Sequence, residues 1–387
     1  MSKKISIFLI SFLIIMVGFW VWTIVTPKNS IVIGGSTSVN PFMQLATKEY
    51  SDSKEGLDFV YNSTGSQAGV GGVEKGMYAA GFISKDATNK TLSEGNSFVD
   101  LEKTEIEDEN AFENIKTNLE DKKNLDKQSS YLTITFALDA IGIIFNSPSY
   151  WQQKINNISI NDLVNFNLKD NNSLLAKLYE GELTWYEMAN RLLMDYTNDV
   201  DIDNLKKLNE SNTEIGNIKI PTYTREDGSG TRSAFSDLTK IKKMPSSNVV
   251  NSNGAMIEQI KVSTGFGYIS NGFIQNLDNN GGIFLSGIDN KKLASPLTEG
   301  EQPYKFDQDK KQWVIIDDYI NNDEFIKADD DKGYTFKRPF ICITNLNSND
   351  FNNIFNFFNY LYKANDDSNP FKKEGLVKYF VINDIKA

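Results

Sequence analysis

The chain begins with one long apolar run and then breaks into short segments of changing period. Residues 5–25 carry no charge over 21 positions, enough for a helix to cross the hydrocarbon of a bilayer. From residue 31 the segments shorten. Residues 31–33 read as a strand, and Phe42, Leu45, Ala46 and Tyr50 recur at helical spacing behind Pro41, which suits a first helical turn. Leu57, Phe59 and Tyr61 alternate as in a strand, residues 67–75 predict a glycine-weakened helix, and residues 79–83 a small buried strand. Residues 131–146 are apolar and β-branched throughout, as in a central strand or a long crossing between lobes.

Later segments repeat the alternation of strand and helix. Short helices are expected at 159–163 and 174–181, a polar linker at 197–216, and a strand around Ile220 and Tyr223. A helix then carries Ala234, Phe235 and Leu238 on one side, and the next places Met256, Ile257 and Ile260 together. Residues 263–269 read as a glycine turn into a strand, and 338–343 as a buried strand containing Cys342. Residues 350–364 predict an amphipathic helix with Phe351, Ile354, Phe355, Phe358 and Leu361 on its core face. Residues 85–130 lack sustained periodicity and read as an insertion or loose helices, and 276–335 as an embellishment of hairpins.

Charge and composition narrow the chemistry. Lys3 and Lys4 precede the apolar run and place the N-terminus in the cytoplasm, with the rest outside. No A-x-A-like cleavage pattern follows, so an uncleaved single-span anchor is expected, a cleaved signal peptide being the alternative. The net charge of −11 argues against nucleic acid and against an anionic membrane surface as partners. The absence of histidine removes Ser-His-Asp and Cys-His catalysis and disfavours a transition-metal site. A single cysteine forms no intramolecular disulfide. The acidic run 329–333 lacks the spacing and the closing glutamate of a calcium loop and reads as a solvated turn.

Candidate chemistry concentrates in three loops rich in hydroxyl groups. In the segment Arg225-Glu226-Asp227-Gly228-Ser229-Gly230-Thr231, Asp227-Gly228 supplies a turn and Ser229 a helix cap. The helix start offers unpaired amides, Gly230 permits close approach, and Arg225 can clamp an anion through two parallel bonds. Residues 36–41 and 62–66 repeat the construction of strand, hydroxyl-rich loop and helix start. Each alone is an ordinary capped turn more often than a site; together they point to an oxyanion.

These loops, with Asp139-Ala140-Ile141-Gly142, Tyr179-Glu180-Gly181 before Trp185, and Gly265-Phe266-Gly267-Tyr268, resemble in sequence and order the phosphate-binding protein of the phosphate ABC transporter. The resemblance covers most of residues 31–270. It implies an α/β fold of the type II periplasmic-binding-protein class, two lobes joined by two crossing strands, here preceded by one transmembrane helix. The expected division is an anchor at 1–30, lobe 1 from 31–135 and 268–387, and lobe 2 from 136–267.

By the same resemblance, Thr37 and Ser38 in the first loop, Ser66 in the second, and Arg225, Ser229, Gly230 and Thr231 in the third bind phosphate. Ser84 stands where some members carry an aspartate that accepts the proton of hydrogen phosphate, and is itself expected to touch the ligand. Asp139 is the first candidate to replace that acceptor, Asp86 the second. The implied function is capture of inorganic phosphate outside the cytoplasm and delivery to an ABC permease and its ATPase. The protein is anchored in the bilayer through 5–25, with no enzyme activity, cofactor, metal or nucleic acid. The alternatives are the same fold binding sulfate or molybdate, and a membrane-anchored phosphatase.

Overall fold

The computed structural model describes residues 30–387 except 54–56, 109–110, 121–128, 169–172, 195, 197–198, 228, 276, 279–281, 299–301, 365–369 and 387; before residue 30 it describes only Phe12 and Met16. The expected membrane segment, apart from those two residues, therefore lies outside the described residues. Among those described, no helix is long and apolar enough to cross a membrane.

In chain order the elements that build the two lobes are β1 (Ile31–Gly35), α1 (Asn40–Ser51), β2 (Phe59–Ser63), α2 (Ser66–Glu74), β3 (Ala80–Ile83), β4 (Tyr131–Asn146), α3 (Trp185–Met194), β5 (Tyr223–Arg225), α4 (Gly230–Thr239), β6 (Asn248–Val250), α5 (Asn253–Val262), β7 (Gly265–Ser270), β8 (Lys337–Asn345), α6 (Phe351–Lys363) and β9 (Val377–Ile382). The main sheet runs β2-β1-β3-β8-β4-β9. β1 pairs in parallel with β2 and β3, as βαβ crossovers through α1 and α2 require. β8 pairs antiparallel with both β3 and β4.

β4 explains the long apolar run. Its first part pairs with β8, from Tyr131 opposite Asn345 to Ala140 opposite Lys337. Its last six residues, 141–146, pair instead with β7. One strand of 16 residues thus belongs to two bodies, and every residue but Asn146 is buried. That accounts for a sequence without the alternation of a surface strand.

Two core clusters mark the bodies. One gathers Ile33, Phe42, Phe82, Phe136, Ala137, Phe340, Cys342 and the α6 side chains. The other begins at Leu138 and includes Trp151, Trp185, Phe235 and Tyr268. The change from one to the other falls between Ala137 and Leu138 inside β4, and between Phe336 and Phe340 at the start of β8. Residues 268–336 were expected in lobe 1. Yet Ile274, Leu285, Ile288, Phe306, Phe325 and Phe336 pack into the second cluster. The physical reason is β7: it pairs with the far half of β4 and carries the chain that follows into the second body.

The segment 197–216, expected as a linker, forms helices Val200–Ser211 and Thr213–Gly216. Asp199 caps the first by accepting from the Asp201 and Ile202 amides, and Ile202, Leu205 and Asn209 are buried. Three buried positions among polar residues were too sparse a stripe to read from sequence. In 85–130, helix Ala111–Glu120 buries Phe112, Ile115 and Leu119. Within 276–335, Tyr304–Asp307 and Gln312–Ile315 form the expected kind of hairpin, and helix Asn322–Lys327 follows it. α6 buries the five expected residues and Phe357 as well. The acidic turn at 329–333 folds around Lys291, whose Nζ donates to the Asp330, Asp331 and Gly333 carbonyls.

Candidate functional site

The three hydroxyl-rich loops meet where the two bodies face each other. β1 ends at Gly35, whose φ of +144° and whose missing Cβ, which would lie 2.3 Å from the Phe82 carbonyl oxygen, leave room only for glycine. The chain then turns into α1 through Ser36, tied by its amide to the Phe82 carbonyl (2.8 Å) and by its own carbonyl to the Tyr61 hydroxyl (2.7 Å). The Gly35 carbonyl accepts from the Thr64 and Gly65 amides at 3.0 and 2.8 Å, which fixes the second loop beside the first.

The third loop is set by packing from the other body. Phe235 of α4 stacks on Tyr268 of β7 at 4.2 Å. The Tyr268 hydroxyl meets Thr224 Oγ1 at 2.7 Å and accepts from the Arg225 amide at 3.2 Å. Ser229 caps α4, its hydroxyl accepting from the Arg232 amide. The amides of the first helical turn, Gly230 and Thr231 among them, lack intrahelical acceptors and face the loop with partial positive charge. Gly228 lies outside the described residues.

Two cavities share this seam. One, of about 430 Å³, is lined by Thr37, Ser38, Ser66, Ser84 and Ser229, with Ser36, Arg232 and Lys242 beside them. The other, of about 250 Å³, is lined by Ser38, Asp139, Arg225, Ser229, Gly230 and Thr231, with Asn253, Ser270, Arg338 and Glu374. Ser38 and Ser229, one from each body, belong to both. A larger cavity of about 890 Å³ lies at the opposite end of β1, around Ser30, Val32, Tyr78 and Asn347. It holds none of the residues of the three loops, and its size does not make it the site.

The bodies touch at Ser38 and Gly230. The Ser38 hydroxyl donates to the Gly230 carbonyl at 3.4 Å, and Arg338 Nη2 donates to the same oxygen at 2.8 Å. In the first loop Ser36 Oγ donates to Ser84 Oγ at 2.9 Å. This leaves the Ser84 proton for another acceptor.

Arg225 is not the bare clamp that the sequence suggests. Its Nε and Nη2 form a fork with both carboxylate oxygens of Glu226 at 3.0 and 2.9 Å, and Nη1 donates to Asn253 Oδ1 at 3.0 Å. Those bonds hold the Glu226 carboxyl below the usual range and fix the guanidinium at the cavity wall. Arg232 Nη1 pairs with Asp227 at 2.7 Å and donates to the Arg225 carbonyl at 2.9 Å. The local charges therefore largely cancel, and the directional donors left to an anion are hydroxyls, amides and residual guanidinium N–H groups.

Asp139, the first candidate acceptor, is buried and occupied. Oδ1 accepts from Ser270 Oγ at 3.0 Å and Oδ2 from Arg338 Nη2 at 3.3 Å. Burial pushes its carboxyl up against the pull of Arg338. Asp86, the second candidate, is exposed and lines neither cavity. Arg338, Glu374, Asn253 and Arg232 were not singled out from sequence. Arg232 alone sat beside a recognisable motif; the others reach the seam only through strand register and helix packing.

The PBP superfamily domain matches residues 25–345. No curated protein matches the chain. Among solved structures, the chain is similar to an ABC-type phosphate transport receptor from Vibrio cholerae, with 18% identity over 90% of this chain and 99% of that one and a TM-score of 0.50. It is also similar to a possible phosphate binding protein from Planctomyces limnophilus, with 12% identity over 91% of this chain and 94% of that one and a TM-score of 0.52. At such identities the likeness shows the fold.

Proposed function

We propose, for a chain that belongs to the PBP superfamily, that it is the substrate-binding component of an ABC transporter, capturing inorganic phosphate between its lobes. The observation that carries this reading is the convergence of Thr37, Ser38, Ser66, Ser84, Arg225, Ser229, Gly230 and Thr231 on two adjoining cavities at the seam between the bodies. Eight residues from separate loops supply hydroxyls, helix-start amides and one fixed guanidinium, the donor set that a tetrahedral oxyanion needs. The phosphate transport receptor and the possible phosphate binding protein with a similar fold accord with it.

In this reading the lobes pivot where the chain passes between them, within β4 and at the start of β8. Phosphate bridging Ser38 on one lobe and Ser229 on the other draws them shut. Each charge-assisted bond contributes about 1.5–3 kcal/mol net, which together exceed the roughly 8 kcal/mol of a micromolar complex and leave the excess to closure and desolvation. The closed form then docks on a membrane permease. Residues 5–25 anchor the protein on the outer side of the membrane and keep it near that permease.

The test is a calorimetric titration of the full chain, purified in detergent and stripped of anion, with phosphate near neutral pH. Saturable binding of one phosphate per chain is expected. No heat and no thermal shift up to millimolar phosphate would overturn the reading.

A further inference from the structure

The smaller cavity holds two groups that the surrounding network leaves over. Arg338 lines it and is 2% exposed. Its Nε and Nη2 meet Asp139, and Nη2 also meets the Gly230 carbonyl. Its Nη1 is buried and has no hydrogen-bond partner among the described residues. A charged N–H group shut away from water without an acceptor is costly, and a ligand oxygen is one way native sites satisfy it.

Glu374, at the end of the short helix Pro370–Glu374, lines the same cavity, and among the described residues no hydrogen bond or ion pair reaches its carboxylate. Burial and the neighbouring Asp139 push its carboxyl up, so it shares a proton more readily than an exposed glutamate.

The two groups demand opposite things of a ligand. Arg338 Nη1 only donates; an ionised carboxylate only accepts. A ligand that satisfies both presents a bare oxygen to one and an O–H to the other, within a space of about 250 Å³ that Ser38, Arg225 and Gly230 also line. Monohydrogen phosphate has both features near neutral pH. Sulfate and molybdate carry no proton there, and would set a bare oxygen against a carboxylate.

We propose that Arg338 and Glu374 complete the site, Arg338 donating to an unprotonated phosphate oxygen and Glu374 accepting the P–OH proton, so that Glu374 rejects fully deprotonated oxyanions. This rests on the phosphate reading above. It moves the acceptor role from Asp139, whose two oxygens are engaged, to a residue on a different element.

The experiment compares wild type, Glu374→Gln and Arg338→Lys, all as full chains, by titration with phosphate and by competition with sulfate. In wild type, about a 100-fold excess of sulfate leaves phosphate bound; in Glu374→Gln, whose amide can donate to sulfate, about a tenfold excess displaces it. Arg338→Lys keeps a charge beside Asp139 and loses the Nη1 group, and its phosphate affinity falls about tenfold or more. If Arg338→Lys does not fold, Glu374→Gln, outside that ion pair, decides alone. Rejection of sulfate by Glu374→Gln at wild-type strength, or equal binding of both anions by wild type, overturns the proposal and leaves the transporter reading standing. Binding of neither anion by wild type overturns that reading, and the proposal with it.

Discussion

Asp139 of β4 and Arg338 of β8 stand directly opposite each other in the antiparallel ladder, joined at 3.3 Å with side chains 5% and 2% exposed. The pair lies where the chain leaves one core cluster for the other, and its arginine also holds the carbonyl of Gly230 at the start of α4. Removing one member strands a buried charge. Asp139→Asn is expected to cost about 3–5 kcal/mol of stability, and the double change Asp139→Asn with Arg338→Met to recover part of it. Denaturant unfolding of the three proteins checks this; a double variant no more stable than the single one would show that the pair acts through shape and not charge.

Arg225→Ala removes the one fixed guanidinium among the residues of the third loop. Phosphate affinity is expected to fall by about 2–5 kcal/mol in a calorimetric titration. Wild-type affinity in that variant would mean that Glu226 already neutralises the arginine and that hydroxyls and amides bind the anion without it.

Gly230→Ala tests the contact between lobes. The added Cβ would lie 2.9 Å from Ser38 Cα and 3.2 Å from the Ser38 carbonyl oxygen, backbone atoms that cannot swing aside. The lobes must part slightly to relieve that contact, at some cost, while alanine favours the helix over glycine by up to about 1 kcal/mol, so the melting temperature should change little. Phosphate affinity should drop about tenfold or more, since the loops can no longer close on the ligand. Loss of both stability and binding would point to a misfolded helix instead.

Lys292 offers a test of stability away from the site. It is buried with its Nζ 4.1 Å from the centre of the Trp313 ring, and desolvation pushes its pKa from 10.5 down to about 8 despite the opposing field of Asp162. Between those two values the unfolded chain holds a proton that the folded chain has lost. Unfolding then binds protons, and stability rises with pH across that window. Below it, at neutral pH, the buried ammonium is a net cost. Lys292→Met keeps the apolar stem and removes the charge, so it should be the more stable protein at pH 7 and should lack the rise above pH 8. Parallel slopes for the two proteins from pH 8 to 10 would exclude this account.

Much of the architecture could be read from residue order because it rests on local periodicity. Phe351, Ile354, Phe355, Phe358 and Leu361 mark the buried face of α6 whatever that face packs against. The apolar run at 131–146 is legible as a strand buried on both faces, and it proved to serve both bodies. The helices of 200–216 escaped notice because only Ile202 and Leu205 of their apolar side chains are fully buried, with Leu208 partly so. The lobe division missed at 268 for a related reason: strand partners are chosen by register across the sheet, and β7 follows β4 rather than its own neighbours in the chain.

What the sequence determined by itself was the chemistry of each loop. A hydroxyl ahead of a helix start, glycines that admit a close approach, and an arginine beside a turn are properties of adjacent residues, and such residues retain them in any fold. Which charges line the cavities was decided only in three dimensions. Arg225 is forked onto Glu226, Asp139 is closed by Arg338 and Ser270, and Glu374 is brought to the cavity from 235 positions beyond Asp139, the difference of 374 and 139. Electrostatic interactions act through space and depend on burial, so a carboxylate's role is set by the neighbours that folding assembles around it and not by those beside it in the chain.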